Sequence, residues 1–242
     1  MDLLLPGHRY TIPESRHEVP LDASLSPLPQ PAYESVLHLD GEDDAVVIPS
    51  DAFALADTAF TLEAWCKPDS FSGRTGLITK TEGSEFGIFV NDGKPQFSVH
   101  LDGRYAVAQS TEPLLRVGAW QHIAGVFDGK EVRIYLDGEL IDATPASGTR
   151  TRNDLPLIIG ADTDRGGNPM SFFGGQLDEV RLSSDARYGG GKFQPQRRFT
   201  TDSSTTLLFH MDGAIGTWTI DSTPRATIGS LKGGARIGPT TD

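Results

Sequence analysis

Between Gly118 and Leu140 the chain reads GAWQHIAGVFDGKEVRIYLDGEL, and this stretch restricts the fold more than any other. Trp120, His122, Ala124 and Val126 alternate with Gln121, Ile123, Gly125 and Phe127. After Asp128-Gly129, Val132, Ile134 and Leu136 alternate with Glu131, Arg133 and Tyr135, and Asp137-Gly138 follows. Alternation of period two sends successive side chains to opposite faces of a sheet, and Asp-Gly supplies the positive φ angles of a tight hairpin. Two such runs joined by a turn, with another turn at once, predict an antiparallel meander.

The same texture runs through most of the chain. Val36–Asp40, Ala45–Ile48, Phe60–Cys66, Thr75–Lys80, Glu85–Asn91, Gln96–Leu101, Tyr105–Gln109, Leu157–Ile159 and Gln176–Leu182 are short apolar runs, punctuated by Asp92-Gly93 and Asp102-Gly103. Turn signals about every ten residues are the pattern of a sandwich or barrel. Helical periodicity is nearly absent, with one short turn expected in Ser50–Ala56. The fold class is all-β.

Residues 1–32 break the pattern. They carry Pro6, Pro13, Pro20, Pro27, Pro29 and Pro31, and proline fixes φ and removes a backbone donor. Two readings stay open: a disordered leader, or an extended arm that orders along a partner subunit. At the other end, Leu37-His38-Leu39-Asp40-Gly41 is echoed by Phe209-His210-Met211-Asp212-Gly213, with only about 30 residues left to follow. A second complete sandwich cannot be built from them, so this segment is expected to add edge strands to the first domain or to a neighbouring chain. The chain divides into an arm (1–32), a β domain (33–190) and a C-terminal extension (191–242).

Bulk properties exclude several functions. The formal charge of −12 with no basic run argues against nucleic-acid phosphate as a partner. Cys66 is the single cysteine, so the chain forms neither an internal disulfide nor a thiolate cluster, and a buried, inert thiol is expected. The start MDLLLPGHRY lacks the positive charge of a secretion leader, and no apolar run reaches membrane-spanning length, so neither feature is expected.

Five blocks then carry a family look: Phe60-Thr-Leu-Glu-Ala-Trp65, Trp120-Gln-His-Ile-Ala-Gly-Val126, Val132-Arg-Ile-Tyr-Leu-Asp-Gly138, Ile158-Ile-Gly160 and Gly175-Gln-Leu-Asp-Glu-Val-Arg-Leu182. In this order they resemble laminin-G-like, concanavalin A-like domains across roughly residues 35–185. The resemblance implies an antiparallel two-sheet jelly-roll sandwich whose first and last strands pair, placing Val36–Asp40 beside Leu177–Leu182. The tail, with Ala186-Arg-Tyr188, Phe193, Pro195, Phe199 and Asp202 before the His210 echo, resembles the spacer that follows such domains in bacteriophage virion proteins. It implies a virion protein made in the host cytoplasm.

Candidate sites follow. Concanavalin A-like glucanases set Glu-x-Asp-x-Glu on one strand, and retaining hydrolysis needs two carboxylates about 5–5.5 Å apart. No such run occurs; Glu63 sits in the Trp65 block, and Asp178-Glu179 are neighbours expected on opposite faces. The histidines lack metal-ligand spacing, and Gly189-Gly-Gly191 lacks the Lys of a phosphate loop. Hard cations want several carboxylate and carbonyl oxygens. The family resemblance implies a calcium site built from Asp40, Asp43 or Asp44 with Asp178, against the alternative that these are solvated turn residues. A second carboxylate loop, Asp162-Thr-Asp164-Arg-Gly-Gly-Asn168, leads to Phe172 and Phe173; the loop offers a cation site or, with the two rings, the candidate ligand rim for a sugar, against a plain surface loop that closes the sandwich.

The leading expectation is a non-enzymatic virion structural protein, a capsid decoration or tail-fibre component. It would contact other virion proteins or copies of itself through the arm and the extension. The alternative is a glycan-binding adhesin that recognises a host-surface sugar, and a glycoside hydrolase is the third reading.

Overall fold

Asp-Gly pairs turn the chain where the alternation stops. At Asp92-Gly93, Asp102-Gly103 and Asp137-Gly138 both residues have positive φ, the signature of a two-residue type I′ hairpin, whereas at Asp128-Gly129 only the glycine does. Asp128 instead accepts the backbone N–H groups of Lys130 and Glu131 through its side chain.

The computed structural model describes Leu4–Leu5, His8–Arg9 and residues 35–240. The chain forms two units, Met1–Tyr33 and Glu34–Asp242. In the first, β1 (Leu4–Leu5) pairs antiparallel with β2 (His8–Arg9); the rest of the Pro-rich arm lies outside the described residues.

In the second unit, β3 (Ser35–Asp40) and β4 (Ala45–Ile48) precede a single 3-10 turn at Ser50–Ala52. Then come β5 (Phe60–Pro68), β6 (Arg74–Lys80), β7 (Phe86–Asn91), β8 (Lys94–Leu101) and β9 (Arg104–Gln109). The meander predicted around Gly118–Leu140 is β10 (Gln121–Phe127), β11 (Glu131–Leu136) and β12 (Glu139–Pro145). After β13 (Leu157–Ile159), a small ribbon of β14 (Asp162–Thr163) and β15 (Pro169–Met170) leads into β16 (Gly174–Ser183). The extension supplies β17 (Thr205–Phe209), β18 (Trp218–Ile220), β19 (Ile228–Lys232) and β20 (Arg236–Pro239).

These strands make a sandwich of two antiparallel sheets. Sheet I runs β12-β11-β10-β5-β16-β3-β20 with β17 also on β16, and sheet II runs β18-β19-β4-β13-β6-β7-β8-β9. The extension thus feeds strands into both sheets. The expected pairing of first and last strands holds for Gly174–Leu177 against Asp40–Leu37. Val180–Ser183 pair with β17 instead, so β3 and β17 lie end to end along β16.

The core lies between the sheets and follows the alternation. Leu37, Leu39, Leu62, Ile123, Ile134 and Leu177 from sheet I meet Ile48, Ile78, Ile88, Phe97 and Val99 from sheet II. Phe60 anchors it, with ring centroids 5.2 Å from Phe86, 6.2 Å from Phe97 and 5.8 Å from Phe127. Each such ring, fully buried, stabilises the fold by roughly 1.5–3 kcal/mol. Cys66 is buried there, and burial pushes its thiol up to about 12. Among the described residues no helix is long and apolar enough to cross a membrane.

Candidate functional site

The acidic turn between β3 and β4 brings Asp40, Asp43 and Asp44 together, with one oxygen of each within 4.8 Å of the others. Three of the six carboxylate oxygens accept backbone N–H groups. Asp40 Oδ1 accepts the N–H of Glu42 at 2.8 Å and of Asp43 at 3.2 Å, which holds its carboxyl below the usual range. Buried Asp44 accepts the N–H of Asp40 at 2.9 Å and that of Gly234, tying the turn to the extension. Asp178 is not in this group. Gly174 is the residue opposite Asp40, and Asp178 stands four residues further along β16, about 13 Å away at strand rise. Its carboxylate accepts Arg197 Nη1 at 2.7 Å. Of the four carboxylates nominated for calcium, the three in the turn therefore lie together and Asp178 stands apart from them, while Asp40 and Asp44 also cap the turn.

Asp178 and Glu179, expected on opposite faces, both engage the extension. Between the pairs Asp178–Trp65 and Arg181–Glu63, β16 carries one residue more than β5. Glu179 is that residue, at φ 52°, and a bulge turns two consecutive side chains to one side. Glu179 accepts the N–H of Phe199 at 2.7 Å and Arg198 Nη1 at 3.1 Å, with His210 Nδ1 also 2.7 Å away. Trp65 and Trp120 share this outer face, with the Arg197 guanidinium 5.4 and 5.3 Å from their rings. This face of sheet I is covered by the chain's own tail.

Burial pushes the Asp178 carboxyl up to about 6, against the pull of Arg197, whose half-exposed guanidinium is screened by water. Its ordinary value is 3.8, so the folded chain holds this proton more tightly than the unfolded one. The stabilisation from protonation is complete below about pH 4 and is lost as pH rises through about 6. Asp178→Asn is therefore expected to raise Tm at pH 8, by roughly 2–4 °C for each kcal/mol of desolvation removed, and to leave it unchanged at pH 4.5. Thermal melts at the two pH values check this; a lower Tm at pH 8 would count against it.

The second carboxylate loop builds a different arrangement on sheet II. Gly76 in β6 has no Cβ, and one placed there would stand 2.3 Å from the Ala161 carbonyl oxygen. Its absence lets the Ala161–Asp162 backbone cross the outer face of β6, where Thr79 Oγ1 donates to Ala161 O at 2.8 Å. Asp162 is thereby buried at the floor of a cleft. Its Oδ1 accepts Thr81 Oγ1 at 2.7 Å and the Thr163 N–H at 2.8 Å, and its Oδ2 accepts Arg74 Nη1 at 2.8 Å. The Arg74 guanidinium carbon stands over buried Phe89, 3.6 Å from the ring centroid.

Glu82, Gln96, Ser98 and Tyr105 complete this cleft of about 250 Å³. Gln96 and Ser98 point outward from β8 because Phe97 and Val99 point into the core. Tyr105 is 40% exposed, yet its hydroxyl is fixed, donating to Ser84 O at 3.0 Å and accepting the Ser84 N–H at 3.2 Å. Burial raises its pKa above the ordinary tyrosine value. Glu82, on the rim, sits at φ 81°, a backbone conformation that costs a non-glycine residue about 1–3 kcal/mol.

Of the predicted ligand rim, only Asp162 lines the cleft. Asp164 folds the loop on itself, accepting the N–H groups of Gly166 and Asn168 at 2.8 Å, and the Asn168 side chain at 3.1 Å. Hydrogen bonds from Asn168 lower its pKa. Phe172 is half-buried against Ala45, Ile158 and Ala161, and Phe173 is 1% exposed in the main core, so neither lines the cleft. Sequence reasoning missed Arg74, Glu82, Gln96 and Ser98. The polar Gln96 and Ser98, two apart and alternating with core residues, were the readable signal.

The sequence matches a family model, Laminin_G_3 of the concanavalin A-like lectin/glucanases superfamily, over residues 40–189. No curated protein sequence matches it. Among solved structures, a candidate carbohydrate-binding protein from Bacteroides ovatus ATCC 8483 aligns with TM-score 0.68 and 21% identity. The alignment covers 86% of this chain and 60% of that one, so this chain spans less than two thirds of its length. Domains LG4-5 of the mouse laminin alpha1 chain align at TM-score 0.51 and 17% identity, over 68% of this chain and 48% of theirs. The CBM40 of the Ruminococcus gnavus IT-sialidase, bound to alpha2,3 sialyllactose, aligns at TM-score 0.50 and 16% identity, over 62% and 92%. These likenesses establish the fold.

Proposed function

Since the chain belongs to the laminin-G-type family of the concanavalin A-like lectin/glucanases superfamily, we propose that it is a non-catalytic glycan-binding module seated on the Arg74–Asp162 cleft of sheet II. The observation that carries this reading is the stack of Arg74 on Phe89, locked to Asp162 and facing the Tyr105 ring across one cleft. A sugar offers vicinal hydroxyls that donate and accept, and an apolar ring face. Arg74 supplies donors, Glu82 and Gln96 supply acceptors, and Tyr105 supplies the platform. Both Asp162 oxygens are committed to donors, which suits a positioning role and leaves neither to attack or protonate a substrate.

A glycan microarray probed with the intact chain tests the reading. Binding of at least one oligosaccharide class is expected, and silence at about millimolar glycan, the weak end of specific recognition, would sink it.

One observation favours a second reading, a structural protein of a phage particle. The β18–β19 hairpin at the edge of sheet II leaves Ile215, Trp218, Ile220 and Ile228 largely exposed, with Ile220 and Ile228 directly opposite each other. A contiguous apolar edge of this kind suits docking against a neighbouring protein.

A further inference from the structure

Tyr105 lines two cavities. On its other side a groove of about 570 Å³ runs between β9, the edge of sheet II, and β12, the edge of sheet I. The two edges are clasped there, with Thr144 Oγ1 donating to Val107 O at 2.7 Å and the Gln109 N–H donating to Asp142 at 2.9 Å. The groove is lined by Arg104 and Lys130 and by no carboxylate among the described residues. Neither cation has an ion-pair partner among the described residues, whereas Arg74, Arg133, Arg150, Arg181 and Arg187 are all paired. In a chain of formal charge −12 this is a local positive pocket. The cleft on the near side is the opposite, with Glu82 and Asp162 beside the single cation Arg74.

We propose that the ligand is an acidic oligosaccharide that spans both cavities. A hydroxyl-rich ring sits in the Arg74–Asp162 cleft and the chain passes over Tyr105. The carboxylate or sulfate of an adjoining residue is held by Arg104 and Lys130. The order is set by charge: an anion in the near cleft meets two carboxylates, while in the far groove it meets two unpaired cations. The fixed hydroxyl of Tyr105 holds the platform between the two seats rigid before the ligand arrives. This inference rests on the glycan-binding reading and adds a second seat and a ligand class to it.

The test is a microarray of matched neutral, uronate-containing and sulfated oligosaccharides, probed with the intact chain at low salt and followed by titration of the hits. Acidic oligosaccharides of two or more residues are expected to bind at least about tenfold more tightly than their neutral counterparts. Raised salt should erode that advantage. In the doubly reversed Arg104→Glu/Lys130→Glu variant, with Tm confirming the fold, the acidic-to-neutral ratio is expected to fall to about one. Whether the uronate arm, the sulfate arm or both show the advantage identifies the anion. Equal binding of acidic and neutral glycans, or an acidic preference that survives the double reversal, overturns the inference while leaving the neutral seat standing. Absence of binding to every glycan overturns both.

Discussion

Glu63→Gln is expected to lower stability by about 3–5 kcal/mol, the cost of leaving a buried charge without its partner. Glu63 is fully buried on the outer face of sheet I, beneath the extension. Arg181 donates to its Oε1 through Nε at 2.9 Å and stands 2.7 Å away through Nη2. On Oε2, Tyr188 donates at 2.7 Å and His122 Nε2 stands 3.1 Å away. Burial pushes the carboxyl up, but the His122 contact and the Arg181 charge outweigh it, so Glu63 lies below the ordinary carboxylate range. Glutamine keeps the shape and removes the charge, which strands Arg181 at 5% side-chain exposure. Chemical denaturation should report the loss. Glu63→Leu/Arg181→Met, which removes both charges, should recover more than half of it. A single variant within about 1 kcal/mol of the parent would mean that the buried Glu63–Arg181 pair does not carry this share of the stability.

Arg74→Ala should have the opposite profile: glycan affinity falls by about 10–100-fold while stability barely changes. The Arg74 side chain is 42% exposed, so its pair with Asp162 contributes about 0–1 kcal/mol to folding. Its guanidinium is nonetheless the fixed donor array of the cleft, seated over Phe89 and tied to Asp162. Arg74→Lys keeps the charge but loses the planar stack, and should lose most of the affinity as well. Calorimetric titration alongside thermal melts separates the two effects. Affinity within twofold of the parent in Arg74→Ala would remove this residue from the site.

The scaffold was legible because alternation and turn chemistry are local. Ala45–Ile48, Gln121–Phe127, Glu131–Leu136 and Leu157–Ile159 form the strands the pattern predicts, with those ends. The Asp178–Glu179 bulge was not legible, since a period-two reading carries no sign of an inserted residue until the register against Trp65 and Glu63 is known. The cleft was half legible. Asp162 stood out as a loop carboxylate, but its partner Arg74 lies 88 positions away, and only the crossing over Gly76 joins them. Phe173 misled because a loop-end aromatic looks the same in sequence whether it faces solvent or closes the core.

Chemical-shift mapping of the intact, isotope-labelled chain with the tightest-binding array glycan shows which face of the sandwich holds the sugar. If sheet II carries the site, the largest perturbations fall on Arg74, Thr81, Ser98 and Tyr105, which lie on one face around Asp162. Perturbations confined to the Asp40–Asp44 turn or to the tail-covered face of sheet I would contradict it.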